Sequence, residues 1–167
     1  MIPDAGDVSL IEPPKTEIHY CVEATKIDSI NTKKYYKEFD LDHVKVNNAR
    51  TITKAVLNEC KKQGKSCEQA KKAVTIALTV AMQESGLMNI EGSRYKGLFQ
   101  QDAGWGSRED RMNPEKAAIR FTKALLKKDF MNMSVVQAAQ AVQRSGNPGA
   151  YTRHVNKAVL LTTFLWQ

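Results

Sequence analysis

One stretch of the chain, residues 73–101, constrains the fold more than any other. It begins with a run, residues 73–82, that is apolar almost all round a helix. The polar residues Thr75, Thr79 and Gln83 follow an i, i+4, i+8 spacing, so they lie on one narrow stripe of that helix. The pattern predicts a helix buried at the centre of a domain, and the run is too short and too polar at its flanks to span a membrane.

A single carboxylate, that of Glu84, follows this apolar run where the helix is expected to end at Gly86. Apolar surroundings and the negative end of the helix dipole both disfavour an ionised carboxylate, and a general acid at neutral pH has to keep its proton. The alternative is an exposed glutamate at a helix terminus that only adds solubility. The position alone does not separate the two interpretations.

The segments after Glu84 carry the pattern of a known superfamily. Five blocks occur in order: MQESGL (82–87), GLFQQ (97–101), Trp-Gly (105–106), Asn-Pro-Glu (113–115) and AQAVQRS (139–145). They resemble the goose-type lysozyme and lytic transglycosylase superfamily, and most nearly the lysozyme-like domains of actinobacterial and actinophage cell-wall lytic proteins. The resemblance covers about residues 48–151 and leaves out the first forty.

The resemblance implies cleavage of the β-1,4 bond between N-acetylmuramic acid and N-acetylglucosamine in peptidoglycan, with Glu84 as the general acid. The side chains expected to contact substrate are Ser85, Gln100, Gln101, Gln143 and Tyr151. Ser85 has an alternative use in ending the helix, and Gln143 departs from the asparagine that is usual in this superfamily. Tyr95 and Trp105 would either stack on sugar faces or fill the core.

The outcome of the reaction depends on whether a second carboxylate takes part. Asp102, directly after GLFQQ, matches an aspartate of goose-type lysozymes and is the predicted base that activates water for hydrolysis. Its alternative use is to cap the loop around Gly104, and Glu91 is a weaker candidate for the base. Without a second carboxylate, Glu84 alone would give a lytic transglycosylase with 1,6-anhydromuramic products. A non-catalytic module that only binds the cell wall is the alternative from another class.

Composition restricts the partners. The 167 residues carry a net charge of +7, which suits a polyanionic partner. Nucleic acid is not expected, because the sequence has no helix-turn-helix or aromatic RNA-binding signature. The expected partner is the glycan strand of peptidoglycan, with no membrane insertion and a monomeric protein. No cofactor or metal is expected, since His19, Cys21 and His43 have no spacing typical of a metal site or a cysteine–histidine site.

The expected fold is a mainly α, lysozyme-like single domain (the α+β lysozyme superfamily) with about five main helices and an irregular active-site loop. The predicted helices cover about residues 48–62, 67–84, 113–128, 134–145 and 147 onwards. Residues 1–40 are predicted to be an N-terminal arm or linker, with a short helix near residues 28–39, and residues 41–167 to form the catalytic domain. Deletion of residues 1–15 is expected to leave activity intact.

The site of action is expected to be the bacterial cell wall. Residues 1–4, Met-Ile-Pro-Asp, lack the basic start and apolar core of a signal peptide. The protein is therefore expected to be a phage endolysin, present in the host cytoplasm before release, or a domain of a longer secreted protein. Of the three cysteines, a bridge between Cys60 and Cys67 is conceivable, whereas free buried thiols are what cytoplasmic synthesis favours.

Overall fold

The structure, a computed structural model, describes Cys21, Ile27 and residues 39–166. This part of the chain is mainly helical, as predicted. The helices are α1 (His43–Lys62), α2 (Cys67–Ser85), α3 (Arg108–Arg111), α4 (Pro114–Leu125), α5 (Val135–Gln143) and α6 (Thr152–Leu165). Short 3₁₀ turns are formed by Ala103–Trp105, Phe130–Asn132 and Pro148–Tyr151. None of the helices in the described ranges is long and apolar enough to cross a membrane.

Helix α2 is the central helix of the domain. Every residue from 73 to 82 is buried, and α2 packs against α1, α4, α5 and α6. The threonines of the predicted polar stripe find hydrogen-bond partners inside the core. The hydroxyl of Thr75 donates to the hydroxyl oxygen of Thr162 at 2.9 Å, and that of Thr79 donates to the carbonyl of Thr75 at 2.8 Å. Because α2 is packed against four other helices, its last residues, Glu84 and Ser85, are held in a fixed position.

The ends of the helices follow local signals in the sequence. Ser66 and Gln69 form a capping box at the start of α2, and Ser134 and Gln137 form another at the start of α5. Gly86 ends α2 in the left-handed conformation, with φ 63°. Asn113 caps α4 through the amide of Lys116, as its place before Pro114 predicts.

Two predicted helix starts were wrong. Helix α1 begins at His43 rather than near residue 48, because the Asp42 carboxylate accepts from the amide of Lys45 and Val46 is buried. Val44 and Val46 stand among charged and polar residues in the stretch 42–48, which obscured this additional turn. The last helix was expected from residue 147, but a 3₁₀ turn, Pro148–Tyr151, precedes α6.

The loop between α2 and α3 is irregular, as predicted. Two isolated antiparallel bridges, Glu91 with Lys96 and Lys96 with Gln101, are its regular pairings. Gly97 has φ 83°, and a Cβ there would lie 2.0 Å from the carbonyl oxygen of Arg111, so only glycine fits. The buried guanidinium of Arg111 in turn donates to the carbonyl of Gln101 at 3.1 Å. These contacts fix the GLFQQ segment against α3.

The cysteines pair differently from the expectation. Cys21 and Cys67 form a disulfide with Cα atoms 5.1 Å apart, while Cys60 remains a buried free thiol. The expectation of free thiols was therefore wrong for Cys21 and Cys67, and the conceivable Cys60–Cys67 bridge is not formed. The bonded residues are 46 positions apart, and such a pairing depends on the tertiary fold rather than on sequence spacing.

Residues before position 40 contribute to the core. Ile27 is fully buried, and the ring of Phe39 packs on that of Phe164 with centroids 6.0 Å apart. The disulfide joins Cys21 to the first turn of α2. The domain boundary at residue 40 stays a prediction, and most of the helix predicted near residues 28–39 lies outside the described residues.

Candidate active site

The end of α2 opens into a cavity of about 330 Å³, here called the Glu84 cavity. Its walls come from the last turn of α2, from the loop that follows, and from the end of α5. The lining residues are Glu84, Tyr95, Gln100, Gln143, Arg144, Ser145 and Gly146. Glu84 is half-buried there, and no Lys or Arg of the described ranges pairs with it. The carboxylate is therefore held at a partly dry position that a ligand can still reach.

Tyr151 is the direct partner of this carboxylate. Its phenolic hydroxyl donates to Oε2 of Glu84 at 2.9 Å, and its side chain is 0% exposed. Burial, followed by the nearby charge of Glu84, raises the pKa of the Tyr151 phenol above its ordinary value. The phenol therefore keeps its proton and acts as a donor at neutral pH. The structure therefore brings Tyr151, which the sequence predicts to contact substrate, into contact with Glu84; its role toward substrate stays a prediction.

The side chains of Gln100 and Gln143 both line the cavity. Gln100 donates from Nε2 to the carbonyls of Ile90 at 3.1 Å and Gly97 at 2.8 Å. Gln143 donates from Nε2 to the carbonyl of Phe99 at 3.2 Å, while its Oε1 is a buried acceptor without a partner in the described part of the chain. Buried polar atoms usually have partners, so Gln143 Oε1 has capacity for one more donor.

Three of the residues predicted to contact substrate do not line the cavity: Tyr151, which reaches Glu84 from the interior, and Ser85 and Gln101. Ser85 is buried and donates to the carbonyls of Ala81 at 3.0 Å and Leu98 at 2.8 Å, which ties the end of α2 to the GLFQQ segment. Gln101 is 1% exposed and donates to the carbonyl of Ala117 at 3.3 Å. Neither side chain is brought to the cavity wall, so the structure gives both a place in the interior.

Asp102 lies in a second cavity, of about 540 Å³, here called the adjoining cavity. The two cavities share Tyr95, Gln143 and Arg144. The Asp102 carboxylate accepts from the amide of Gly104 at 3.0 Å and so caps the 3₁₀ turn Ala103–Trp105. This is the alternative use that the sequence offered for Asp102. Its role as a base in hydrolysis stays a prediction.

The weaker candidate, Glu91, is engaged at the surface. It forms ion pairs with Arg108 and, at 3.5 Å, with Lys96. The hydrogen bond from Arg108 is the main cause that holds the pKa of Glu91 below its usual range. A fully ionised, doubly paired carboxylate is poorly suited to take a proton from water or sugar.

Sequence reasoning missed two residues at the cavity wall, Arg144 and Ser145. Both belong to the AQAVQRS block, where the predicted helix over residues 134–145 ends, but the sequence did not indicate that they line the cavity. Arg144 ends α5 with φ 52° and ψ 44°, a left-handed conformation that is uncommon for a residue other than glycine. That turn places Arg144 at the wall shared by the two cavities.

Tyr95 and Trp105 are placed as aromatic walls. Tyr95 is 45% exposed and lines both cavities, with the guanidinium of Arg94 5.2 Å from its ring centroid. Trp105 lines the adjoining cavity and also packs on the core, so its use as a core residue is confirmed and its stacking on sugar stays a prediction.

The sequence matches no model of a known protein family and no curated protein. The likeness to the goose-type lysozyme and lytic transglycosylase superfamily therefore stays a prediction from the five blocks.

Proposed function

We propose that this protein cleaves the β-1,4 bond between N-acetylmuramic acid and N-acetylglucosamine in peptidoglycan, with Glu84 as the general acid. The observation that carries the proposal is the hydrogen bond of 2.9 Å from the buried Tyr151 to Glu84, whose side chain lines an open cavity. A half-buried carboxylate with one donor on one oxygen leaves the other oxygen for the proton that is transferred. The choice of peptidoglycan as substrate rests on the resemblance of the five sequence blocks. The placement of Glu84 supports its use as a general acid.

The first step is protonation of the glycosidic oxygen. Tyr151 donates to Oε2 and holds the carboxyl plane, which leaves Oε1 as the oxygen that would deliver the proton. Transfer of this proton to the leaving oxygen breaks the bond to the anomeric carbon, which takes on oxocarbenium character. Glu84 ends the step as a carboxylate, and that product retains the hydrogen bond from Tyr151.

The sugar contacts would come from the cavity walls. Gln143 lines the cavity, and its side-chain amide is of the kind that bonds an acetamido or hydroxyl group. Gln100 donates both of its hydrogen bonds to backbone carbonyls from Nε2, so its side-chain oxygen can accept a hydrogen bond from the ligand. The exposed ring of Tyr95 offers an apolar face of the kind on which sugars stack.

The second step depends on how many carboxylates face the bond. Glu84 is the only carboxylate among the described residues that line its cavity. In the single-carboxylate route, Glu84 takes the proton of the muramic acid 6-hydroxyl, whose oxygen attacks the anomeric carbon. The ring closes to a 1,6-anhydro product and Glu84 regains its proton. This geometry favours lytic transglycosylation as the route.

Hydrolysis is the second candidate, and Asp102 is the observation in its favour. Asp102 lies in the adjoining cavity, which shares three lining residues with the Glu84 cavity. Retaining and inverting glycosidases both need such a second carboxylate across the sugar. One oxygen of Asp102 is engaged by the amide of Gly104, so this carboxylate is at most partly available.

The test is mass spectrometry of the sugar products from purified peptidoglycan. The account predicts 1,6-anhydromuramic ends, which are lighter by one water than reducing ends. Reducing ends only would move the assignment to the hydrolase, with Asp102 as the candidate base. Binding to the wall with no product after long incubation would instead favour the non-catalytic module and contradict the proposal.

A further inference from the structure

The adjoining cavity carries cations that have no acidic partner. Lys127 and Lys128 follow α4, Arg144 ends α5, and all three line this cavity. No ion pair joins any of the three to a carboxylate of the described residues. Asp102 is the only carboxylate that lines this cavity within the described chain. The cavity therefore has a net positive charge.

Some cations near the site are paired: Arg108 and Lys96 pair with Glu91, and Arg120 pairs with Asp110. The three cations of the adjoining cavity instead line one concave surface without such a pair. Concave walls of one sign strengthen the local potential and attract ions of the opposite sign.

Arg144 also has an unfavourable backbone conformation. Its φ of 52° is one that asparagine or glycine adopts with less strain than arginine. Strained residues in a binding region often reflect a requirement of the site rather than of the fold. An arginine here presents a guanidinium, which suits a carboxylate, at the border between the two cavities.

We propose that the adjoining cavity binds a carboxylate of the peptide stem on muramic acid, an inference that rests on the proposed function. The two sugars of the glycan strand are uncharged, and the negative groups belong to the peptide attached to the lactyl group of muramic acid. Only every second sugar carries this peptide. An anion site beside Glu84 therefore sets which sugar occupies which side of the bond to be cleaved.

The lining of the cavity fits this substituent. Tyr95 and Trp105 provide apolar surface beside the three cations, and the space of about 540 Å³ admits more than a single ion. Peptide stems combine short aliphatic side chains with free carboxylates, so both parts of the lining have a counterpart. A phosphodiester of another wall polymer shares the anion chemistry, and the experiment separates it from the stem.

The experiment measures binding by the full chain carrying Glu84→Gln, which prevents turnover. The ligands are the disaccharide with a stem that has free carboxylates, the same compound with amidated carboxylates, and the disaccharide without a stem and with its lactyl carboxyl amidated. We expect the first to bind at least about tenfold more tightly than the other two, as the loss of one charge-assisted contact implies. Higher salt should reduce the difference.

Variants assign the preference to the cavity. Lys127→Gln with Lys128→Gln, and separately Arg144→Asn, should each reduce the difference by a factor of about ten or remove it. Asparagine tolerates the conformation of residue 144, and both lysines are at the surface, so folding should be kept. The matched control is Lys61→Gln with Lys62→Gln, an adjacent pair at the end of α1 outside this cavity, which should keep the difference.

Two results would overturn the inference. One is a preference for free carboxylates that survives in both cavity variants. The other is equal affinity for the free and amidated stems. If, in that case, binding to intact walls falls when phosphodiester-linked polymers are stripped, the anion would be assigned to phosphate. Cleavage by the wild-type protein is measured separately, so a failure of the proposed function is distinguishable from a failure of this inference.

Discussion

The phenolic hydroxyl of Tyr151 lies 2.9 Å from Oε2 of Glu84, although the two residues are 67 positions apart in the chain. The contact joins the end of the central helix α2 to the 3₁₀ turn before α6. It fixes the plane of the carboxyl group that we propose as the general acid. Because the contact is one side-chain hydrogen bond between two elements, an isosteric substitution of either residue tests it and leaves the core packing in place.

Tyr151→Phe tests the contribution of the hydroxyl. The ring is buried and would stay in place, while Glu84 would lose its one direct donor. We expect the rate of peptidoglycan cleavage to fall about 10- to 100-fold, as the loss of a hydrogen bond to a charged group implies. The measurement is the initial rate of product formation, with circular dichroism as the check on folding. A folded variant with the wild-type rate would show that Tyr151 does not position Glu84.

The raised pKa of Tyr151 predicts how stability changes in alkali. A free tyrosine loses its proton near pH 10, whereas the buried phenol keeps it to higher pH. Above about pH 10 the unfolded chain therefore binds fewer protons than the folded protein, and the free energy of unfolding falls as pH rises. Below this pH the contribution is fully present.

Denaturant unfolding at about pH 9 and pH 11 measures this effect, and Tyr151→Phe is the reference because it cannot ionise at this position. The wild type should lose more stability between the two values than the variant does. Equal losses would show that the Tyr151 phenol ionises as readily in the folded protein as in the unfolded chain.

Asp102 separates the two routes of the reaction. Asparagine keeps the cap on the Gly104 amide but lacks the charge, and alanine loses both. In the single-carboxylate route, Asp102→Asn should retain activity within about threefold of wild type, whereas loss of a general base would cost about 10²–10⁴-fold. Asp102→Ala should lower the free energy of unfolding by about 1 kcal/mol, the usual value of a cap. The measurements are product formation and denaturant unfolding of both variants.

The cysteines give a prediction that needs no activity. Burial, with a smaller contribution from Glu59, raises the pKa of the Cys60 thiol to about 12, so it should not react with a thiol reagent in the folded protein. Unfolding without reductant should expose one reactive thiol per chain, and reduction should bring the number to the three cysteines of the sequence. Three reactive thiols in the unreduced chain would contradict the Cys21–Cys67 disulfide.

The sequence predicts what local signals determine. The buried run of α2 follows from its periodicity, and the caps at Ser66, Asn113 and Ser134 follow from side chains that act within three residues. The start of α1 was missed because its additional turn is stabilised by the cap of Asp42 rather than by an apolar pattern.

What the sequence could not predict depends on the direction of neighbouring side chains. Gln100 and Gln101 are adjacent and chemically identical, yet the first lines the cavity and the second is inside the core. The positive φ of Gln100, 46°, turns the chain between them, and sequence spacing contains no signal for it. Arg144 was missed for the same reason, because its place in the wall depends on a left-handed end to α5.

Replacement of Glu84 by glutamine tests the central claim most directly. Glutamine keeps the shape of the side chain and can accept the hydrogen bond from Tyr151, but it cannot deliver a proton to the glycosidic oxygen. The matched control is Glu109→Gln, the same substitution at an exposed position in α3 that lines neither cavity. With both variants folded, cleavage of purified peptidoglycan by Glu84→Gln should fall at least about 10²-fold, while the control keeps the wild-type rate. Cleavage by Glu84→Gln at the wild-type rate would contradict the assignment of Glu84 as the general acid.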